Sequence, residues 1–172
     1  MSFSNYSYRL PLASWCLEFS EQSWQTLDRH AQRQRGMKES VGQLFTRNLT
    51  SSRVVVEVAT VIKPFWASRA KVQLDTRRAI SERETMFEMG FHCIGLWHTH
   101  PEPAPTPSFE DRALAREHAL AAKPQLSGLI FAIVGNSPMP SALCVWVDDG
   151  VELLLAGQDN SATVTVPSPT ST

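Results

Sequence analysis

Two histidines and one aspartate stand at a spacing that could hold a metal ion. The stretch from Trp97 to Pro101 is Trp-His-Thr-His-Pro, and Asp111 follows it after a proline-rich segment. Side chains alternate between the two faces of a strand, so His98 and His100 project to the same side of an extended chain. Two imidazole nitrogens and one carboxylate oxygen form a common catalytic zinc set, which leaves the fourth tetrahedral position open. We therefore predict a zinc site formed by His98, His100 and Asp111.

Ordinary structural roles account for the same residues when each is taken alone. Ser108 and Asp111 have the spacing of a helix N-cap, in which Ser108 caps backbone amides and the helix dipole favours Asp111. The two histidines could be polar residues at the end of a strand. The spacing favours a metal site over these alternatives and does not exclude them.

The predicted ligands need a strand, a rigid loop and a helix to bring them together. Phe91 to Trp97 is an apolar run typical of a buried strand, and Ser108 to Ala122 has the pattern of a helix. The connecting loop from Pro101 to Pro107 contains four prolines, each of which fixes its own φ angle. Such a loop can return the chain so that the start of the helix faces the histidines.

The remaining pattern predicts one domain with a mixed sheet flanked by helices, an α/β or α+β fold. Ser20 is a candidate N-cap for a first helix that ends before Gly36, and the polar turn from Asn48 to Ser52 joins two strands into a hairpin. The predicted helices are Glu21–Arg33, Arg77–Met89 and Ser108–Ala122, and the predicted strands are Glu39–Thr46, Arg53–Ile62, Phe91–Trp97, Leu129–Val134, Ala142–Val147 and Val151–Leu155.

Composition places the chain among globular proteins and disfavours two classes of partner. Of its 172 residues, 42% are hydrophobic and 19% are charged, which suits one domain with a hydrophobic core. We assign residues 1–158 to this domain and the Ser/Thr/Pro-rich residues 159–172 to a flexible tail. A formal net charge of -1 gives no general attraction to nucleic acid. The longest apolar run, Leu129 to Val134, is too short to cross a bilayer and no signal peptide is evident, so we expect a cytoplasmic protein.

The motif around the predicted ligands resembles that of a known family. His98-x-His100-Pro101, then six residues, then Ser108-x-x-Asp111 is similar to the motif of the JAMM metalloproteases, also called the JAB or MPN domain family. All five fixed positions match without a gap. The order of elements from about residue 16 to residue 155 also resembles the family, so the resemblance implies an MPN/JAB-like fold over nearly the whole chain.

A second family pattern, Glu-x-x-Gly-x-x-x-Gly, falls at Glu39. Glu39 and Gly42 match it, whereas Thr46 replaces the last glycine. The resemblance implies that the three ligands predicted above bind zinc, that Glu39 is the general base and that Ser108 helps to stabilise the oxyanion. Glu57, in the second strand of the predicted hairpin, is a rival base, and we prefer Glu39.

The resemblance implies a zinc-dependent isopeptidase or deconjugase that cuts after the C-terminal tail of ubiquitin or a ubiquitin-like protein. The small size resembles free-standing bacterial members that occur beside E1/E2-like conjugation proteins. A more specific expectation is CBASS antiphage defence, in which the enzyme would remove a conjugate from a cGAS-like nucleotidyltransferase. The alternatives are a JAMM peptidase that processes a sulfur-carrier protein and a metal-free MPN scaffold that only binds partners.

A peptidase of this kind must hold a flexible tail extended across the metal. Pairing the tail's backbone with an exposed strand edge would achieve this without demanding particular side chains. The candidate edges are the strand carrying Glu39 and the segment from Ala70 to Asp75. We expect only small tail residues to pass beneath the loop from Pro103 to Pro105.

Overall fold

The computed structural model of the protein describes residues 6–159. Within that range the chain forms three helices and eleven strands, and no helix is long and apolar enough to cross a membrane. The helices are α1 (Glu21–His30), α2 (Thr76–Glu88) and α3 (Phe109–Ala122). The strands are β1 (Ser7–Arg9), β2 (Cys16–Phe19), β3 (Val41–Thr46), β4 (Arg53–Val56), β5 (Val58–Ala59), β6 (Trp66–Ala67), β7 (Val72–Gln73), β8 (His92–Thr99), β9 (Leu129–Val134), β10 (Leu143–Asp148) and β11 (Leu153–Asp159).

Nine of these strands form one mixed sheet in the order β4-β2-β1-β11-β10-β9-β8-β3-β5. β8 lies inside the sheet, antiparallel to β3 and parallel to β9. The edge strands β4 and β5 are separated in the chain only by Glu57, so the sheet must curl until its two edges approach each other. β6 and β7 form a separate two-stranded sheet.

Apolar clusters on the two faces of the sheet determine where the side chains of β8 point. Trp97 belongs to the same cluster as Leu27 of α1. Its neighbour Leu96 belongs to a second cluster with Ala115 of α3. Because side chains alternate along a strand, His98 faces the α3 side, like Leu96. The predicted mixed sheet flanked by helices is therefore confirmed.

The predicted hairpin is correct in its second half and wrong in its first. β5 pairs antiparallel with β3 as expected, whereas β4 pairs in parallel with β2. The chain changes partner at Glu57, whose backbone N–H donates to the carbonyl oxygen of Phe45 at 2.9 Å. The run from Val54 to Val56 is β-branched without alternation, so it predicts a strand and cannot specify the partner of that strand.

The prediction that Glu39 lies in a strand that offers a free edge is wrong on both counts. β3 begins at Val41, and the N–H of Glu39 donates to the carbonyl oxygen of Ser68 at 2.8 Å. β3 itself lies between β8 and β5, so neither of its edges is free. The other candidate edge, Ala70 to Asp75, contains β7, which pairs only with β6 in the described chain.

Other boundaries differ by a few residues. α1 ends at His30 rather than Arg33, and β8 continues to Thr99, so that it includes His98. β11 continues to Asp159, the first residue of the predicted tail, whereas residues 160–172 lie outside the described range. Three strands were not predicted, namely β1, β2 and β6, whereas β7 lies within the candidate edge from Ala70 to Asp75. Each of the three has only two to four residues, which is too short for alternation to mark it.

Gly42 of β3 lies where no side chain fits. A Cβ atom at this position would be 1.8 Å from the carbonyl oxygen of Thr60 and 2.6 Å from Nε1 of Trp97. The indole N–H of Trp97 donates to that same carbonyl oxygen at 2.8 Å. Any side chain at position 42 would therefore break a buried hydrogen bond or move β3 away from β8.

We expect Gly42→Ala to lower the free energy of unfolding by about 1–3 kcal/mol, because overpacking of a filled interior has that cost. Urea unfolding followed by circular dichroism measures the change. Gly157→Ala in β11 is the matched control, since a Cβ there would meet its nearest described atom at 3.9 Å. Equal stability of the two variants would contradict this account of Gly42.

Candidate metal centre

β8 brings the two histidines to one end of the sheet. His98 lies in β8 and His100 follows the strand directly, and both side chains are buried. Their Nε2 atoms are 2.9 Å apart. The ring of His98 also packs against Phe131 of β9, with ring centroids 5.3 Å apart. The two imidazoles therefore direct the same nitrogen into one space, as strand alternation predicts.

The first turn of α3 adds the carboxylate of Asp111 to this pair. Its Oδ1 lies 3.2 Å from His98 Nε2, and its Oδ2 lies 3.3 Å from His100 Nε2. Ser108 N–H donates to Asp111 Oδ2 at 2.8 Å, and Asp111 N–H donates to Ser108 Oγ at 3.1 Å. This reciprocal pair is a capping box that begins α3. The helix cap and the predicted ligand position are therefore compatible, because the cap itself directs the carboxylate toward the histidines.

The three side chains fit a small divalent cation. Their candidate ligand atoms all lie within 4.8 Å of one another. In a tetrahedral zinc site with bonds of about 2.0–2.1 Å, ligand atoms are about 3.3 Å apart. The separations of 2.9, 3.2 and 3.3 Å are close to that value. Two imidazoles and one carboxylate can therefore hold a metal ion here, and this donor set suits zinc and other first-row divalent metals.

The electrostatics of the metal-free site favour the cation-binding forms of His98 and Asp111. Burial lowers the pKa of His98, despite its hydrogen bond to Asp111. Burial also acts to lower the pKa of His100, but the hydrogen bond and charge of Asp111 raise it overall. Burial acts to raise the pKa of Asp111, and its hydrogen bonds to the two histidines hold it far below the usual range. These directions favour a charged Asp111 and a neutral His98, the forms that bind a cation, whereas protons compete with a metal more strongly at His100.

Glu39 faces the same site from the neighbouring segment. Val41 pairs with His98 in the antiparallel ladder, so the same register carried two residues further places Glu39 opposite His100. The Glu39 side chain is buried. Burial raises the pKa of Glu39 to about 7, and the negative charge of Asp111 adds to this rise. The charge of His100 acts in the opposite direction and lowers the pKa.

The side-chain amide of Gln32 holds the segment that carries Glu39 in place through hydrogen bonds. Sequence analysis did not identify this residue. Gln32, just beyond α1, is fully buried and donates to the carbonyl oxygens of Met37 at 3.1 Å and Arg69 at 2.7 Å. The hydroxyl of Thr99 donates to Gln32 Oε1 at 3.0 Å and accepts the Ser40 N–H at 3.0 Å. The position of Thr99 between the two histidines signals a residue on the opposite face, whereas nothing local marks Gln32.

Hydrogen bonds from Asn136 hold the first two residues of the proline-rich loop, Pro101 and Glu102, in place. Asn136, which follows β9, donates its backbone N–H to Glu102 O at 2.8 Å and its side-chain amide to Pro101 O at 3.0 Å. Gly135 allows this close approach, because a Cβ there would lie 2.4 Å from Glu102 O. The expected rigid return toward the histidines thus depends on a distant amide as well as on the prolines.

Three other polar residues, two of them considered from the sequence, lie in different settings. Ser108 is the exposed N-cap of α3, and its hydroxyl donates no hydrogen bond to the described residues, so its predicted oxyanion role stays a prediction. The carboxylate of Glu57 accepts the backbone N–H of Arg47 at 2.9 Å, at the end of β3 remote from Glu39. His92 packs against Phe87 at the start of β8, roughly 20 Å from His98 at the usual strand rise.

Comparison with known proteins agrees with this architecture. The family described as prokaryotic homologs of the JAB domain matches residues 20–147. Among solved structures, the chain is similar to the solution structure of protein DSY2949 from Desulfitobacterium hafniense, with a TM-score of 0.57 and 19% sequence identity. That similarity covers 82% of this chain and 88% of the other, and at this identity it supports the fold alone. No curated protein matches the chain.

Glu39 should make the stability of the metal-free protein depend on pH. Its carboxyl has a pKa of about 7 in the fold against 4.5 in the unfolded chain, so the unfolded chain loses this proton first. The contribution of Glu39 to stability therefore falls as pH rises from 4.5 to 7 and stays unfavourable above that. We expect chelated Glu39→Gln protein to have a higher Tm than wild type at pH 8 and a much smaller advantage at pH 5.

Thermal unfolding in the presence of a chelator measures this difference. Glu84→Gln, which removes an exposed carboxylate from α2, controls for the loss of one negative charge. A Tm difference for Glu39→Gln that is the same at both pH values would show that burial does not perturb Glu39.

Proposed function

Because the chain belongs to the family of prokaryotic homologs of the JAB domain, we propose that it is a zinc-dependent isopeptidase. It would hydrolyse the amide bond after the C-terminal tail of a ubiquitin-like modifier or another conjugated protein. The observation that carries this proposal is the convergence of His98, His100 and Asp111 within hydrogen-bonding distance of one another, with the buried Glu39 opposite His100. This arrangement supports hydrolysis because it combines a cation site with a carboxyl that can transfer protons.

Each residue of the site has a distinct part in the proposed reaction. Zinc bound by the two histidines and Asp111 would supply a Lewis acid and lower the pKa of water to about 7. Glu39 takes the proton of the attacking water and transfers it to the amine as the C–N bond breaks. The hydroxyl of Ser108 donates to the oxyanion that forms on the former carbonyl. The products are the carboxylate of the tail and the free amine of the acceptor.

The proposed tail site is the free edge of β7. Ser68 O of the β6–β7 hairpin accepts the N–H of Glu39, and Lys71 Nζ lies 3.7 Å from Glu110 Oε1 of α3. The hairpin therefore reaches from the Glu39 segment to the first turn of α3. In the β6–β7 pair the backbone groups of Lys71 and Gln73 point toward β6. Those of Val72 therefore point outward and can pair with an extended tail.

The alternatives differ in what the site must do. A metal-free scaffold would not need three ligand side chains within 4.8 Å of one another, and this observation disfavours it. A peptidase for a sulfur-carrier protein would use the same chemistry on a different tail-bearing partner. The CBASS assignment, with a cGAS-like nucleotidyltransferase and E1/E2-like proteins as partners, stays a prediction, and the neighbouring genes or a trapped substrate would decide between these alternatives.

Metal content and turnover together test the proposed function. We expect about one zinc per wild-type chain, lost in His98→Ala and His100→Ala together with activity. Glu39→Gln should keep the zinc and lose about 10²-fold or more in turnover, because a general base acts on water without binding the metal. Elemental analysis measures zinc, and a ubiquitin-like reporter with a fluorogenic amide after its tail measures turnover.

Glu57→Gln is the control for the base, since Glu57 is a half-buried glutamate beside β3 that does not face the metal site. It should retain both zinc and activity. If Glu57→Gln is inactive while Glu39→Gln turns over normally, the assignment of the base is wrong. Full activity of wild type after exhaustive chelation would rule out a metallopeptidase.

Pairing of the tail with β7 predicts which part of the substrate controls the rate. Backbone pairing tolerates many side chains, but only small residues should pass the loop from Pro103 to Pro105. Enlarging the last two tail residues should therefore reduce turnover strongly, and changing the acceptor protein should have little effect. Reporters varied separately in the tail and in the acceptor measure this, and the opposite pattern would exclude tail recognition at β7.

A further inference from the structure

We propose that Glu102 is a positioning residue for the metal ligand His100. The carboxylate of Glu102 accepts a hydrogen bond from Nδ1–H of His100. This inference goes one step beyond the proposed function and rests on it. The family motif leaves position 102 unspecified, so the residue is not among the predicted ligands or catalytic groups. The geometry of His100 points to this role.

His100 has one ring nitrogen directed at the site and one that is buried without a hydrogen bond. Nε2 faces Asp111 at 3.3 Å. Nδ1 is inaccessible to solvent and has no hydrogen-bond partner in the described part of the chain. A neutral imidazole that binds a metal through Nε2 must carry its proton on Nδ1. Metal binding at Nε2 therefore leaves a buried N–H donor at Nδ1 that needs an acceptor.

The carboxylate of Glu102 is placed to be that acceptor. Its Oε1 lies 3.5 Å from His100 Nδ1, just beyond hydrogen-bonding length. It approaches the ring at the nitrogen that does not face Asp111, so it does not compete for the metal position. The side chain of Glu102 is 50% exposed, so it can change rotamer and close the remaining gap.

The backbone around Glu102 is held rigidly, so that only its side chain needs to move. Asn136 donates to the carbonyl oxygens of Pro101 and Glu102, and Gly135 allows no larger residue at the contact. Pro101 and Pro103 flank Glu102, and a residue before proline is restricted to extended conformations. A carboxylate held in this way orients the imidazole, selects its tautomer and increases its basicity as a ligand.

Zinc affinity of the full-length protein tests this role. We expect Glu102→Ala to bind zinc about 10–100-fold more weakly than wild type, the usual effect of losing such a carboxylate. Glu102→Gln should bind zinc better than Glu102→Ala, because its amide oxygen can still accept a hydrogen bond from Nδ1–H. Competition with a chromophoric chelator gives the affinities, and the Tm of the metal-free proteins should be unchanged if each variant folds normally.

Glu110→Ala is the matched control, because Glu110 is an exposed glutamate at the same rim that pairs with Lys71 rather than with a ligand. It should bind zinc as wild type does. A second measurement, nitrogen-15 NMR of the zinc-bound protein, should show His100 protonated at Nδ1 in wild type and a shifted Nδ1 signal in Glu102→Ala. Equal zinc affinity of Glu102→Ala and Glu110→Ala would overturn the role of Glu102, whereas a wild type that binds no zinc would overturn the proposed function and this role with it.

Discussion

The antiparallel pairing of β3 with β8 determines where the groups of the site lie. In this register Glu39 falls opposite His100, and a slip of one residue would turn its carboxyl to the α1 side of the sheet. Two contacts oppose such a slip. Gly42 occupies a place that no residue with a side chain could take, and the hydroxyl of Thr99 accepts the N–H of Ser40 at 3.0 Å. The position of the proposed base therefore follows from packing between the two strands.

The same pairing collects titratable groups in a buried place, which disfavours the metal-free fold and favours a cation. Burial raises the pKa of Glu39 and lowers that of His98, so both groups are held away from their charged forms. Asp111 stays charged only because the histidines and the helix cap surround it. A divalent ion would compensate the negative charge and remove the competition for protons, so its binding free energy would add to the stability of the fold.

The convergence of the proposed metal ligands could be predicted from sequence because short-range rules specify the position of each of them. Strand alternation places the two histidines on one face, and the capping box places Asp111 one helical turn from its cap. The partners of the valine run 54–56 could not be predicted, because sheet pairing depends on contacts between distant segments. The supporting roles of Gln32 and Asn136 could not be predicted for a related reason. Each acts through a side-chain amide on backbone carbonyls far along the chain, and such a bond leaves no periodic trace in the sequence.

The supports of the β6–β7 hairpin are unequal, and this bears on how a tail could bind without disturbing the base. Toward the base, Gln32 and Glu39 donate to the carbonyl oxygens of residues 68–69 at 2.7 and 2.8 Å, and both donors are buried. Toward α3, an exposed ion pair at 3.7 Å joins Lys71 Nζ to Glu110 Oε1, and pairs of this kind contribute little to stability. Leu74, directly after β7, packs on the apolar cluster that includes Ala115 of α3. The hairpin is therefore attached to the Glu39 segment by buried hydrogen bonds and to the α3 side mainly by an apolar contact. Under the proposed pairing, a tail at the outer edge of β7 would leave intact the buried hydrogen bonds that hold the Glu39 segment in place.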